Sequence, residues 1–567
     1  MELQGLTRSL AGRVAQLLAV AVLALLCAPG LAPARAATTT TVDPNTPVLV
    51  TSQSKAPVGY RLNATQVERI AARVAKVGDV VRRHHGSYPA EYTKGPGRWQ
   101  VSWFTPGGKE IAQVYVDDAG GTVTEAWTGF QVAWSMARGY PGAFGRRVNA
   151  WYVWLPMCVV FLVPFLPRRR KPSLLHLDLL VLLSFSVSLA FFNHARIGLS
   201  VPLAYPCLLY LLVRMLCLAR GRGRPKEPLR LLVPVSWLAV ALVFLVGFRV
   251  GLNLTNSNVI DVGYAGVIGA DRLVHGKPLY GHWPADNANG DTYGPVNYYA
   301  YVPFRLMFGW SGRWDDLPAA HAAAIAFDLL TLLGLFLLGR RVRGPTLGGV
   351  LAYAWAAYPF TLYALSSNSN DSLVSMLLVL TLLVITSPPA RGVGAALAGF
   401  AKFAPLALGP LFMRGIDSEF RKRSVIGYTM AFGITGLVVM VPVVLGGNLS
   451  RFWRDTLTYQ AGRGSPFSIW GLWGGLGFEQ HLVQGAAVAL AIAVAFVPRR
   501  RDLVQVAALG AAVLITLQLG ITHWFYLYIV WFFPLVIFAL LGAHPERAPP
   551  PAVPLEVPGR VPAAAAG

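Results

Sequence analysis

Residues Ile260 to Tyr301 read IDVGYAGVIGADRLVHGKPLYGHWPADNANGDTYGPVNYYAY. The stretch is polar, acidic and aromatic. It carries Asp261, Asp271, Asp286 and Asp291, the bases Arg272, His275, Lys277 and His282, and tyrosines at 264, 280, 293, 298, 299 and 301. Apolar runs bound it at about 231–251 and 319–339. Each has roughly the twenty residues an α-helix needs to cross hydrocarbon. A connection this long is either functional or disordered, and disordered segments are poor in aromatic residues. The stretch therefore reads as an ordered loop with a role of its own, held between two membrane spans. The alternative is a loop that only connects.

The rest of the chain extends that reading. Of 567 residues, 54% are hydrophobic and 13% charged, which is not the composition of a string of soluble domains. Apolar runs predict spans at about 150–167, 174–193, 197–218, 231–251, 319–339, 346–365, 371–388, 426–446, 481–498, 503–520 and 523–541, about eleven in all. Residues 390–413 are long enough to cross too. Their flanks, Pro388 to Arg391 and the 421–423 cluster, belong on one side, so a broken re-entrant hairpin turning near Lys402 is expected.

The net charge of +23 does not point to nucleic acid. The bases fall in short clusters between apolar runs: 168–171, 220–226, 340–343, 421–423 and 499–501. That is an orientation signal. If that side is cytoplasmic, the outer loops 252–318 and 447–480 face away from it. Cys27, Cys158, Cys207 and Cys217 lie in apolar runs without metal-ligand spacing and read as small buried hydrophobes.

Residues 1–36 have the form of a signal peptide: Arg8 and Arg13, an apolar Val14–Cys27, and Ala34-Arg35-Ala36. An uncleaved anchor is the alternative. Residues 37–62 read as a linker. Residues 63–146 predict a small α+β domain. Thr65-x-x-Glu68 suggests a capping box opening a helix to about Arg83. Strands are expected at 99–103, 111–116 and 122–127, with turns at 106–109 and 117–121. Asp117 and Asp118 suit turn chemistry or a cation. The Pro/Ala-rich tail, 542–567, reads as disordered and cytoplasmic. The fold class is thus an all-α polytopic membrane protein with a small α+β extracytoplasmic N-terminal domain.

Asp261 stands just beyond a span, where a carboxylate can act as general base on a hydroxyl. It suits equally the N-cap of a following helix. Cations for an anionic group at that level are Lys402, Arg463, Arg272 and His523. An intramembrane lysine is costly and suggests function, unless it snorkels to the interface. Asn368, Asn370 and Asp371 could meet hydroxyls or cap a helix. Trp470 and Trp473 could cover the site or belong to an interfacial belt. No second acid lies close in sequence to Asp261, so no metal is expected.

Asp261-Val262-Gly263-Tyr264 followed by Gly276-Lys277-Pro278-Leu279-Tyr280 resembles the first-loop motif of the GT-C superfamily of integral-membrane glycosyltransferases. It is most similar to polyprenyl-phosphate-mannose-dependent alpha-mannosyltransferases of actinobacteria. Tyr293-Gly294-Pro295-Val296-Asn297-Tyr298, Gly399 to Pro405 and Thr522-His523-Trp524 resemble later motifs of that family, the last with one histidine missing. The likeness spans about 230–541. The helix-then-meander order of residues 63–146, with Gly97–Phe104 (GRWQVSWF) and Ala112–Trp127 (AQVYVDDAGGTVTEAW), resembles a PepSY-like domain, which implies a regulatory or binding role.

The first resemblance implies a GT-C-like fold and an inverting transfer of a hexose, mannose by analogy, from a polyprenyl-phosphate sugar to a lipid or glycan acceptor at the plasma membrane. It implies Asp261 as catalytic base and no cofactor. Lys402, Arg463, His523 and Arg272 become donor-phosphate candidates. Tyr264, Tyr280, Asp291, Tyr293, Asn297 and Asn370 become sugar or acceptor candidates. The insert HWPADNANGD and the N-terminal domain depart from the family pattern. The competing reading is a transporter, flippase or sensor for a lipid-linked glycan. A transporter would usually carry paired internal repeats, and none is evident.

Overall fold

The computed structural model describes residues 47–139, 144–166, 171–417 and 421–546. The expected signal at 1–36 and the tail from 547 lie outside the described residues. The N-terminal part is a five-stranded antiparallel meander: β1 (Val48–Leu49), β2 (Tyr88–Thr93), β3 (Arg98–Phe104), β4 (Glu110–Asp117) and β5 (Thr122–Thr128), in that order across the sheet. Trp99, Val101, Val114 and Val116 pack beneath two helices, α1 (Ala64–Ala72) and α2 (Ala75–Arg83). The three expected strands are present. β2 was not anticipated, because Pro89 and Glu91 are residue types depleted in strands.

The expected single helix to Arg83 is two, broken at Arg73 and Val74. Its capping box lies two residues earlier than Thr65 and Glu68. Asn63 is extended and accepts from Gln66 N–H at 2.9 Å, while the Gln66 side chain takes Asn63 N–H at 3.0 Å. Thr65 is already helical, and its hydroxyl donates to Gln53 O. Asp118 accepts Arg61 N–H (2.7 Å), Leu62 N–H (3.0 Å) and Trp99 Nε1–H (2.9 Å). Asp117 accepts Gly120 N–H. Turn and anchor bonds account for both acids.

The helical part runs through α3 (Trp151–Leu162), α4 (Leu174–Asn193), α5 (Ile197–Ala219), α6 (Val235–Thr255), α7 (Asp261–Val274), α8 (Pro295–Phe308), α9 (Pro318–Ala357), α10 (Pro359–Ser366), α11 (Asp371–Leu383), α12 (Pro388–Ala401), α13 (Gly409–Arg414), α14 (Lys422–Leu445), α15 (Gly477–Ala493), α16 (Leu503–Gly520) and α17 (Ile529–Gly542). Among the described residues, six helices are long and apolar enough to cross a membrane: α4, α5, α6, α9, α14 and α16. Three shorter apolar helices stand at Trp151–Phe165, Asp371–Leu383 and Tyr526–Gly542. Prolines explain much of the shortening. Pro164 turns the end of α3 into a 3-10 turn, Pro359 separates α9 from α10, and Pro388 opens α12. The 40 residues of α9 are two helices meeting at Arg343 and Gly344, where Gly344 has φ +76°.

α17 is buried at every residue, while α6 leaves Trp237, Val240, Val243 and Phe244 exposed. A helix apolar all round belongs at the centre of a bundle, and exposed apolar faces belong against lipid. Buried ion pairs join helices in between: Asp178 with Arg214 at 2.9 Å, and Asp328 with Arg249. Asp328 also accepts Trp355 Nε1–H. Such charges are tolerated in an apolar layer only when paired.

The basic clusters at 220–226, 340–343 and 499–501 gather at one end, where Arg343 lies near Arg224 and Asp502. Arg224 pairs with Asp502, and Arg414 donates to Arg499 O at 2.6 Å. The sheet domain sits at the other end, where Gly145 N–H meets Asn258. Residues 388–414 leave the basic end and return to it. Arg391 near the start donates to Met413 O (3.0 Å) and Arg414 O (3.1 Å) near the finish. The chain turns where expected, with Lys402 extended between α12 and a 3-10 turn at Ala404–Leu408.

Candidate active site

The site is built where α6 hands over to α7. Extended residues 256–260 are pinned to the turn after α10: Asn258 N–H donates to Ser366 O and Ile260 N–H to Ser367 O, both at 3.2 Å. Asn368, left-handed at φ +48°, closes that turn, and its Nδ2 donates to Ser257 Oγ and Asn258 O. α7 then lies tight against α8. A Cβ at Gly266 would stand 2.6 Å from the Tyr301 ring, and one at Gly269 2.1 Å from the Tyr298 ring. Three-residue spacing puts both glycines on one helix face.

Ile260 is the N-cap, so Asp261 is the first helical residue and its carboxylate is not used in capping. Apart from Val262 N–H in its own helix, its carboxylate has no hydrogen-bond or ion-pair partner among the described residues. It is solvent-accessible yet ringed by protein. Burial raises its pKa above the usual carboxylate range. Val262 N–H, Arg463 and Lys402 act the other way, and Asp371 reinforces the rise. Tyr293 and Tyr528 feel the same carboxylate and also the charges of Asp371 and Arg463. One site therefore holds Asp261, Tyr293, Asp371, Lys402, Arg463 and Tyr528.

The two cations differ. Lys402 Nζ is 2.5 Å from Asp371 Oδ1, which also accepts Trp531 Nε1–H at 2.7 Å. Tyr293, Tyr528 and Trp531 surround the ammonium with ring centroids at 5.5, 5.7 and 4.9 Å. Its charge is matched within the protein. Arg463 pairs with no carboxylate among the described residues, and its Nε is buried without a hydrogen bond. Its guanidinium lies over Trp134 (5.3 Å) and Tyr459 (5.8 Å). His523 accepts or donates at Nδ1 with Ser465 Oγ (2.9 Å), between the rings of Trp134 (5.7 Å) and Phe467 (5.6 Å). Burial, and then Arg463, push its pKa down to about 3. It is neutral at physiological pH, so it can meet a phosphate only as a hydrogen-bond donor.

The remaining candidates frame the loop. Arg272 donates to the carbonyls of Pro278, Gly281 and His282. Asp291 accepts Gly281 N–H at 2.7 Å. Tyr280 OH donates to Tyr293 O, and Tyr264 stacks on Trp314 at 5.0 Å. Asn370 Nδ2 donates to Asn297 Oδ1 at 2.7 Å, with both residues fully buried. Three contributors escaped the sequence reading: Asp371 as a lysine partner, Trp531 and Trp134. Trp134 comes from the sheet domain, about 390 residues from His523 (523 minus 134 is 389), and no local pattern marks it.

No family model matches the chain, and no curated protein matches it. The site must be read from its own chemistry. It offers an accessible carboxylate at the start of a helix, an uncompensated guanidinium, and aromatic walls. Such a set can take a proton at Asp261 while Arg463 holds an anion. Among the described residues no group of three metal-type ligands is found.

Proposed function

We propose that this chain is an integral-membrane glycosyltransferase of GT-C-like architecture. It moves a hexose, mannose on the strength of the sequence resemblance, from a polyprenyl-phosphate sugar to a lipid or glycan acceptor. The transfer takes place on the extracytoplasmic face of the plasma membrane, and the PepSY-like sheet domain lies on that face. The observation that carries the reading is the Asp261 carboxylate, without an ion pair among the described residues, set against Arg463, which pairs with no carboxylate among them either.

Asp261 takes the proton of the acceptor hydroxyl as its oxygen attacks the anomeric carbon. The bond from that carbon to the phosphate oxygen breaks, and the electron pair leaves with the phosphate. Arg463 compensates the charge that develops there. Attack opposite the leaving group inverts the anomeric carbon. The leaving phosphate needs no strong acid, which fits a single free carboxylate. Tyr293 and Tyr528 provide rings against which an apolar sugar face can stack.

The test is incubation of membranes containing the protein with radiolabelled polyprenyl-phosphate mannose and identification of the labelled product. Label should move to a lipid or glycan acceptor with the wild type and not with Asp261→Asn. Transfer by a correctly inserted Asp261→Asn protein overturns the proposal.

A further inference from the structure

A hollow of about 1310 Å³ lies between the sheet domain and helices α3 and α4, and Asp261 does not line it. Arg138, Arg146 and Arg147 stand at it. Arg138 is fixed by neutral acceptors: Nε donates to Gln131 O at 2.9 Å, and Nη2 to Gln113 Oε1 (2.7 Å) and Val132 O (3.0 Å). Its charge is held in place and not cancelled. Among the described residues none of the three guanidiniums pairs with a carboxylate. Three like charges at one concavity attract an anion, and guanidiniums match phosphate oxygens in pairs.

The rest of the hollow is of opposite character. Leu155 on α3 and Val187 on α4 form an apolar wall, and they are 56% and 54% exposed. Trp151 and Tyr152 open α3 beside the arginines. Tryptophan and tyrosine favour the boundary between headgroups and chains. The hollow thus begins at a cationic rim and continues down an apolar groove between two helices. A free anion would use only the rim.

We propose that this hollow binds one phosphate-bearing membrane lipid, with its headgroup oxygens on Arg138, Arg146 and Arg147 and its chains along the groove between α3 and α4. Because Arg138 and Trp127 belong to the sheet domain and Leu155 and Val187 to the bundle, the lipid ties the two together. The inference is independent of the glycosyltransferase reading and needs no activity to test.

The experiment uses the full chain in zwitterionic detergent, delipidated and then titrated with dioleoyl phosphatidylglycerol, with dioleoylglycerol, or with inorganic phosphate. Binding is read by native mass spectrometry and by the shift in melting temperature. One phosphatidylglycerol per chain should bind and raise the melting temperature, while dioleoylglycerol and inorganic phosphate should do neither. Arg146→Gln/Arg147→Gln, both exposed positions, should weaken retention by at least about tenfold. Val187→Trp, which fills the groove and leaves the cations, should do the same. Equal retention in both variants overturns the proposal. So does a melting shift from inorganic phosphate equal to that from phosphatidylglycerol, which would make this a free-anion site.

Discussion

Burial raises the Asp261 carboxyl, and Arg463 opposes the rise. A pKa above the unfolded value means that the folded state prefers the neutral acid. Ionisation therefore costs stability at every pH above the unfolded value. Asp261→Asn should lower turnover by roughly 10²–10⁴-fold, the range of a general base, and leave the melting temperature at pH 7 unchanged or higher. A lower melting temperature would show that the carboxylate is structural. The acid limb of the pH–rate profile should lie above the ordinary carboxylate range. Arg463→Gln removes a group that lowers this pKa, so it should move the limb to higher pH and raise the KM for the donor. His523 gives the opposite signal in stability. Its folded pKa of about 3 lies below the ordinary histidine value. The stability it contributes is present above the unfolded pKa near 6.5 and is lost as pH falls toward 3. Wild-type melting temperature should therefore decline from pH 6.5 to 4 more steeply than that of His523→Gln.

The turn of the returning segment carries one buried ion pair, Lys402 with Asp371. Lys402→Met leaves Asp371 buried with only Trp531 as partner and should cost roughly 3–5 kcal/mol. Lys402→Met/Asp371→Asn should recover most of that in chemical unfolding, which separates support of the site from contact with a donor. The packing of α7 on α8 makes a second prediction. Gly269→Ala drives a methyl into the Tyr298 ring and should cost roughly 1–3 kcal/mol. The bend at Lys402 was legible because basic flanks at both ends force a return to one side. The pairing of Lys402 with Asp371 was not, because it joins segments 31 residues apart that share no periodicity. The glycines at 266 and 269 stood in the opening stretch, but which aromatic rings they admit depends on how α8 is set. Helix ends were overshot where proline truncates an apolar run, as at Pro164 and Pro359. Arg272 and Asp291 looked available for a ligand only because the loop backbone they hold has no signature of its own.

Hydropathy was enough to show a largely helical chain with membrane-spanning helices, but it drew about eleven spans where six helices among the described residues are long and apolar enough to cross. Nor did it reveal that the two domains meet at the site. The small N-terminal domain looked separable. Trp134 instead packs on His523 and Phe467 and lies beneath Arg463. Trp134→Ala should raise the KM for the donor several-fold and change kcat less, as read in the membrane transfer assay. An unchanged KM would confine the ring to a packing role. The shared aromatic wall also bears on how such a chain can diverge. A chimera in which a foreign module replaced the sheet domain would open a gap beside the guanidinium unless it supplied a large ring at the equivalent place. The two modules must then drift in concert, and compensating changes should be sought across that seam before anywhere inside either half.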